Sequence, residues 1–349
     1  MLRDIYTKAS EVLLIDSRLC RVSGSHAYET AIQFLCSEWL SRLWTFQEGY
    51  LARQLFIQFA DKALSQETLV QDISKLRKRD WSGLASLLRL LLEREKGSET
   101  SSMSLFRWVL TKLQCRSTTV PADEAICLAN ILDVSNPDPT KLPSMEMIYQ
   151  NISIPSGLLF LHGPRLKTPG LGWAPATFLN SDFDPHGLIE EVASLQEGGL
   201  RVTQCGILLH DTLKFREDDG ILYWTLKLGK EHLGSEIPDD PNRLRQDQNI
   251  YFIAPPINTS LQLGGRQVHD PAIILNKDSR DGSIDGVLVS SAREIDGIWS
   301  CEFELTVDVW MPGKKYYDGM RNLCEAVNQF SGPNPCPGTY VENVQWLVG

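Results

Sequence analysis

The chain lacks several things that would fix a function quickly. No apolar run is long enough to span a bilayer. The N-terminus, Met1-Leu2-Arg3-Asp4-Ile5-Tyr6, carries an early acid and no apolar signal core. The eight cysteines at 20, 36, 115, 127, 205, 301, 324 and 336 include no CxxC pair, which removes zinc-ribbon and thioredoxin-like readings. The six histidines are scattered, with no HxxxH or HExxH spacing, so no metal centre is expected. There is no P-loop, no G-x-G-x-x-G and no G-x-S-x-G elbow, so phosphate cradles and a Ser–His–Asp hydrolase find no support. Positive charge is also short. A net charge of −10 and a pI near 5.2 disfavour nucleic acid as a partner. The densest basic stretch, Lys75-Leu76-Arg77-Lys78-Arg79, reads as a solvated helix face. No internal repeat or low-complexity tract is present.

These absences lead to a soluble, cytoplasmic protein with no membrane span, no bound cofactor and no metal. Cysteines set among apolar residues, such as Cys127 in Ile126-Cys127-Leu128, read as buried reduced thiols. In that compartment the sequons at Asn151 and Asn258 carry little weight.

What is present is enough chain for two domains, 349 residues with an ordinary 42% hydrophobic fraction. Glu11-Val12-Leu13-Leu14-Ile15-Asp16 reads as a buried strand. Ser25 is placed to cap a helix, or a pair of helices, running from Ala27 to about Leu51. Leu55 to Phe59 reads as a second strand, so this β–α–β order predicts parallel pairing through a helical crossover. Residues 65–133 read as helical, with Leu84, Leu87, Leu88, Leu91 and Leu92 on one stripe. Asp123-Glu124 reads as helix capping. His162-Gly163-Pro164-Arg165 reads as a loop and Trp173-Ala174-Pro175 as a packed turn.

Beyond about residue 155 the period changes to two. Leu222, Trp224, Leu226 and Leu228 alternate with polar partners, as do Cys301, Phe303, Leu305, Val307 and Val309. Asp219-Gly220, Asp281-Gly282, Asp285-Gly286 and Asp296-Gly297 read as turns. Tyr316 to Phe330 reads as a late helix, ended by the Gly/Pro-rich stretch Ser331 to Gly338. The expected class is α+β. It comprises a partial α/β module at 1–64, a helical region at 65–155 and an antiparallel β-rich region at 156–349.

The strongest single signal is Ser41-Arg42-Leu43-Trp44-Thr45-Phe46-Gln47-Glu48. Residues four apart share a helix face, so Glu48 lies one turn from Trp44 in an apolar stretch. A carboxylate in that setting is paired, hydrated at a cleft, or chemically useful. The pairing partners nearest in sequence are Arg42 and Arg53. Read as structure alone, Trp44 and Trp39 are core, Ser41 is a polar helix position and Arg42 is a snorkelling surface residue.

Several segments together resemble the fungal heterokaryon-incompatibility (HET) domain family. Trp39-Leu40-Ser41-Arg42-Leu43-Trp44-Thr45-Phe46-Gln47-Glu48 is similar to its W-x-x-R-x-W-T-x-Q-E signature. Ile5-Tyr6-Thr7-Lys8-Ala9 with Val12 to Asp16 resembles its I-Y-x-x-A segment and following strand. Arg116 to Glu124 leading into Cys127-Leu128-Ala129, and Gly172-Trp173-Ala174-Pro175-Ala176, are also similar to proteins carrying this domain. The resemblance covers residues 1 to about 180. It implies a role in non-self recognition and cell-death signalling, through protein partners and with a homo-oligomer in prospect. It also implies distant kinship to TIR domains, whose S-x-W-C-L-x-E helix has the same Trp–Glu spacing. By that kinship Glu48 would be the catalytic carboxylate of an NAD glycohydrolase, NAD being substrate rather than cofactor. It would bind ribose hydroxyls and stabilise an oxocarbenium-like state. Trp44 would wall the cleft, with Ser41, Arg42, Thr45 and Gln47 completing the motif. A full HET domain starts further upstream, with a first strand and a W-I-D-A-L-C-I-N-Q-type segment. The expectation is therefore a truncated member that signals through protein interaction and does not cleave NAD by itself.

Overall fold

In the computed structural model the described residues are 2–75, 102–138, 140–179, 191–214, 216–218, 221–228, 249–254, 267–276, 283–310 and 336–349. The fold is α+β. The chain divides into two compact units. One is Met1–Ile152 with Thr177–Pro185, and the other is Ser153–Ala176 with His186–Gly349.

The first unit begins with α1 (Leu2–Lys8) and β1 (Val12–Leu14), then α2 (Ala27–Leu35), α3 (Glu38–Ser41) and α4 (Leu43–Leu51). β2 (Leu55–Gln58) and β3 (Ala63–Ser65) follow, then α5 (Gln66–Ser74), α6 (Ser102–Leu113), α7 (Ala122–Leu132) and α8 (Met145–Asn151). β1 and β2 pair in parallel, Val12 against Leu55 and Leu14 against Ile57, with α2–α4 as the crossover. β3 closes a hairpin antiparallel to β2. Leu14, Phe34, Ile57, Phe59 and Leu69 form the core on one face of this sheet. The alternate side chains Leu13 and Ile15 are 49% and 73% exposed, so the strand expected to be buried is buried on one side only.

The helix expected to run to Leu51 is three helices. Ser37 and Arg42 adopt extended backbone, with ψ of 148° and 136°. The second break has a visible cause. Ser117 N–H donates to the Ser41 carbonyl at 2.7 Å, and Leu43 N–H donates to the Ser117 carbonyl at 3.0 Å. A bridge between Ser117 and Arg42 thus replaces helical bonds at that point. Ser25 is not the cap of α2 either. His26 holds that position without a side-chain bond. The Ser25 hydroxyl donates instead to Asp61 at 2.8 Å, joining Ser23 Oγ at 2.9 Å and Gly24 N–H at 2.6 Å on the same carboxylate. A charged acceptor makes a strong bond to the hydroxyl hydrogen and turns the side chain towards Asp61, and these bonds hold the Asp61 carboxyl well below its usual range.

The second unit contains β4 (Ile154–Pro155), a short 3-10 turn at Ser156–Phe160, β5 (Val192–Gln196), β6 (Gly199–Leu209), β7 (Leu213–Lys214) and β8 (Arg216–Asp218). It continues with β9 (Ile221–Leu228), β10 (Asn249–Ala254), β11 (Gln267–Val268), β12 (Ala272–Leu275), β13 (Ser283–Ile295), β14 (Ile298–Trp310) and β15 (Cys336–Val348). The strands β6, β12, β13, β14 and β15 pair in that order, and β15 returns to β6, closing a five-stranded barrel-like sheet. Every pair in the ring is antiparallel except β14 with β15. Closure removes the open edges that a sheet of this length would otherwise present.

Asp296-Gly297 makes the two-residue turn its sequence predicts. Both residues have positive φ, 52° and 78°, and Ile295 pairs with Ile298 across it. Asp285-Gly286 does not turn; it lies inside β13 opposite Asp308 and Val307. Gly286 is there for space, since a Cβ would meet Val309 and Val307 methyls at 3.0 and 3.1 Å. Cys336 to Gly338, expected within a break, open β15. The leucine stripe at 84–92, the turns at 219–220 and 281–282, and the helix expected at 316–330 lie outside the described residues.

The 162–165 segment is a loop, and its Arg165 explains how the Trp173 turn is held. The guanidinium donates to the carbonyls of Leu158 at 3.3 Å and Leu159 at 3.2 Å, and also to those of Leu161 and Trp173. Its carbon lies 4.5 Å from the Phe303 ring centroid. Cys20, Cys36, Cys115, Cys127, Cys205 and Cys301 are free, and Cys127 and Cys301 are buried as expected. Burial pushes both thiols up to about 12. Cys36 and Cys115, however, are exposed, because each sits in a connection just past a helix end. Among the described residues no helix is long and apolar enough to cross a membrane.

Candidate functional site

The Trp44–Glu48 helix is held by residues about 80 positions away. The Trp44 indole N–H donates to Asp123 Oδ2 at 2.6 Å, and Thr118 Oγ1 donates to the same oxygen at 3.2 Å. Asn130 Nδ2 donates to Gln47 Oε1 at 2.9 Å. Thr45 Oγ1 donates to the carbonyls of Trp39 and Arg42, the latter at 2.6 Å. α7 therefore lies along α4, with an indole and an amide each meeting a partner from the facing helix.

The centre of this arrangement is Arg116, 2% exposed. Its Nη1 donates to the Arg42 carbonyl at 2.7 Å, to Thr45 Oγ1 at 3.1 Å and to the Trp39 carbonyl at 3.4 Å. The guanidinium carbon lies 4.9 Å from the Phe46 centroid and 5.7 Å from that of Trp39. A buried cation without a carboxylate partner is normally costly. Here the carbonyls left free by the break at Arg42, together with two aromatic faces, take that role. Burial still lowers the Arg116 pKa to about 10, which leaves it charged at neutral pH.

Asp123 and Glu124 do not cap α7. Pro121 is the N-cap and makes no side-chain bond. Asp123 turns to Trp44, and Glu124 turns inward to accept from Thr177 Oγ1 at 2.6 Å and Phe178 N–H at 2.7 Å. The reason is that an indole N–H and a buried backbone amide need acceptors more than a solvated helix end does.

Glu48 is half-buried, and Oε1 accepts from the Tyr6 hydroxyl at 3.1 Å. The partner is this phenol from α1, not Arg42 or Arg53. Arg53 Nε donates instead to the Thr7 carbonyl at 3.1 Å. Among the described residues Glu48 Oε2 has no hydrogen-bond partner. Burial first, and the neighbouring Glu48 charge second, push the Tyr6 pKa up. A carboxylate with one oxygen pinned and the other open can accept a hydroxyl pair or stabilise a developing positive charge.

Of the motif residues, Trp44, Thr45 and Gln47 are drawn into one network, and Glu48 is tied separately to α1. Ser41 and Arg42 are exposed, and they contribute backbone groups instead. The Ser41 hydroxyl returns to the Glu38 carbonyl at 2.9 Å. Two residues join the site without a sequence signal of their own chemistry: Asn130, and Tyr6, which the I-Y segment contains but does not mark as a partner of Glu48. Among the described residues no group of three potential ligands is placed to hold a metal. No protein-family model, no curated protein and no solved structure matches the chain.

Proposed function

We propose that this chain is a signalling protein of the fungal heterokaryon-incompatibility type, acting in non-self recognition and cell death through protein interaction. The observation that carries this reading is the interlock just described. The two most distinctive HET-like segments, Trp39 to Glu48 and Arg116 to Ala129, are separate in the sequence. In the fold they lie against each other through Arg116, Trp44–Asp123 and Gln47–Asn130. The parallel β1–β2 pair with a helical crossover fits a partial TIR-like module. The exposed Leu13 and Ile15 suit a module that binds protein.

A second reading, NAD glycohydrolase, is favoured by Glu48 itself, a half-buried carboxylate with one oxygen bonded to Tyr6 and the other open. One experiment separates the two. The purified chain is incubated with NAD and nicotinamide release is followed, with Glu48→Ala alongside, and both forms are expressed in a fungal host. The signalling reading expects growth arrest by both forms and no release above the variant's baseline. Release that disappears with Glu48→Ala overturns it and establishes the enzyme.

A further inference from the structure

Glu124 is 3% exposed, and it is not absorbed by the interlock or by the Glu48 site. Its two acceptor bonds go to Thr177 and Phe178, a short segment to which the first unit owes no other secondary structure. That segment is topologically unusual. The chain leaves the first unit at Ile152 and spends residues 153–176 in the second. It re-enters the first at Thr177, then departs again. Phe178 anchors the re-entry. It is fully buried, with edge contacts to Phe106 of α6 at 5.7 Å and Tyr149 of α8 at 6.1 Å between ring centroids.

No cation neutralises Glu124 among the described residues. On its own helix the ionisable neighbours are Asp123, which faces Trp44, and Cys127. Arg116 acts on Cys127 rather than on Glu124. The helices packed on α7 carry Arg3, Asp4, Tyr6 and Lys8 (α1), Glu48 and Tyr50 (α4), Arg107 and Lys112 (α6), and Glu146 and Tyr149 (α8). None of these contributes to the environment of the Glu124 carboxyl, where burial outweighs the two hydrogen bonds. A proton can be added without breaking either contact. Oε1 continues to accept from Phe178 N–H, while a protonated Oε2 donates to Thr177 Oγ1, whose own hydrogen rotates away.

We propose that Thr177–Leu179 is a strap whose docking into the first unit is tightened by proton uptake at Glu124, making the re-entry of the chain responsive to acidification. The sign follows from burial. The carboxyl ionises less readily docked than released, so the proton's contribution is fully present below the ordinary carboxylate range. It is lost as pH rises through the raised value. The docked-to-released ratio changes by the same factor by which the docked form holds the proton more tightly. Glu124→Gln is isosteric with the protonated form and makes both bonds without a charge.

The test is amide hydrogen exchange of Phe178 and Leu179 in the full chain, corrected for intrinsic chemistry, between about pH 5 and about pH 8. Ile131, in the middle of α7, reports opening of the whole unit. The strap amides of the natural chain should gain protection as pH falls across this range, while Ile131 does not follow. Glu124→Gln should hold them at the low-pH level throughout. Thr177→Val, which folds around an unchanged carboxylate, should lower protection at every pH. The strap is overturned if the natural chain is flat, if Glu124→Gln keeps the natural slope, or if Ile131 changes in parallel.

Discussion

The two units are held together by different means. The second depends on strand ladders: its barrel-like ring closes through backbone pairs spread over five strands. The first has three short strands among the described residues, and its helices are joined by a few long-range side-chain bonds, from Arg116 to Arg42, Asp123 to Trp44 and Asn130 to Gln47. A distributed ladder tolerates point changes, whereas a network around one buried cation does not. The HET-like residues sit in the unit with the concentrated network.

The sharpest way to break this contrast is Arg116→Met. It removes three donor contacts and leaves the Thr45 hydroxyl as the remaining side-chain donor to the Trp39 and Arg42 carbonyls. A loss of about 3 kcal/mol is expected, read as an early transition of the first unit in denaturant while the second is unmoved. Parallel loss in both units would contradict the division. Trp44→Phe keeps an aromatic ring and deletes one bond to Asp123, so a smaller loss of about 1 kcal/mol is expected by chemical denaturation. In the barrel the comparison predicts the reverse sign. Gln204 is fully buried in β6, and neither amide atom has a hydrogen-bond partner among the described residues. Gln204→Leu should be neutral or raise stability by up to about 1 kcal/mol in thermal melts. A marked loss would show that the amide is satisfied by a group such as internal water.

Much of this is legible in the sequence, and the exceptions share a cause. Period-two alternation locates β14, and the Asp296-Gly297 pair locates its hairpin, because both signals are local. The β1–α–β2 crossover follows from element order alone. The break at Arg42 is not legible, since it depends on Ser117 arriving from 75 positions away. Local rules place acids at helix starts and so make caps of Asp123 and Glu124, but here distant donors win. Sequence proximity offers Glu48 two arginines, yet its partner Tyr6 comes from α1. Asp285-Gly286 carries a turn signature, but the methyl groups of Val307 and Val309 demand a glycine within a strand.

The Trp39–Glu48 and Arg116–Asn130 segments act as one interlocked piece, and a double-mutant cycle across them measures the coupling. Trp44→Phe, Asp123→Ala and the double variant are compared by equilibrium denaturation of the first unit. The interlock predicts a coupling energy of about 1 kcal/mol, with the double variant less destabilised than the sum of the singles. Strict additivity of the two changes would contradict it.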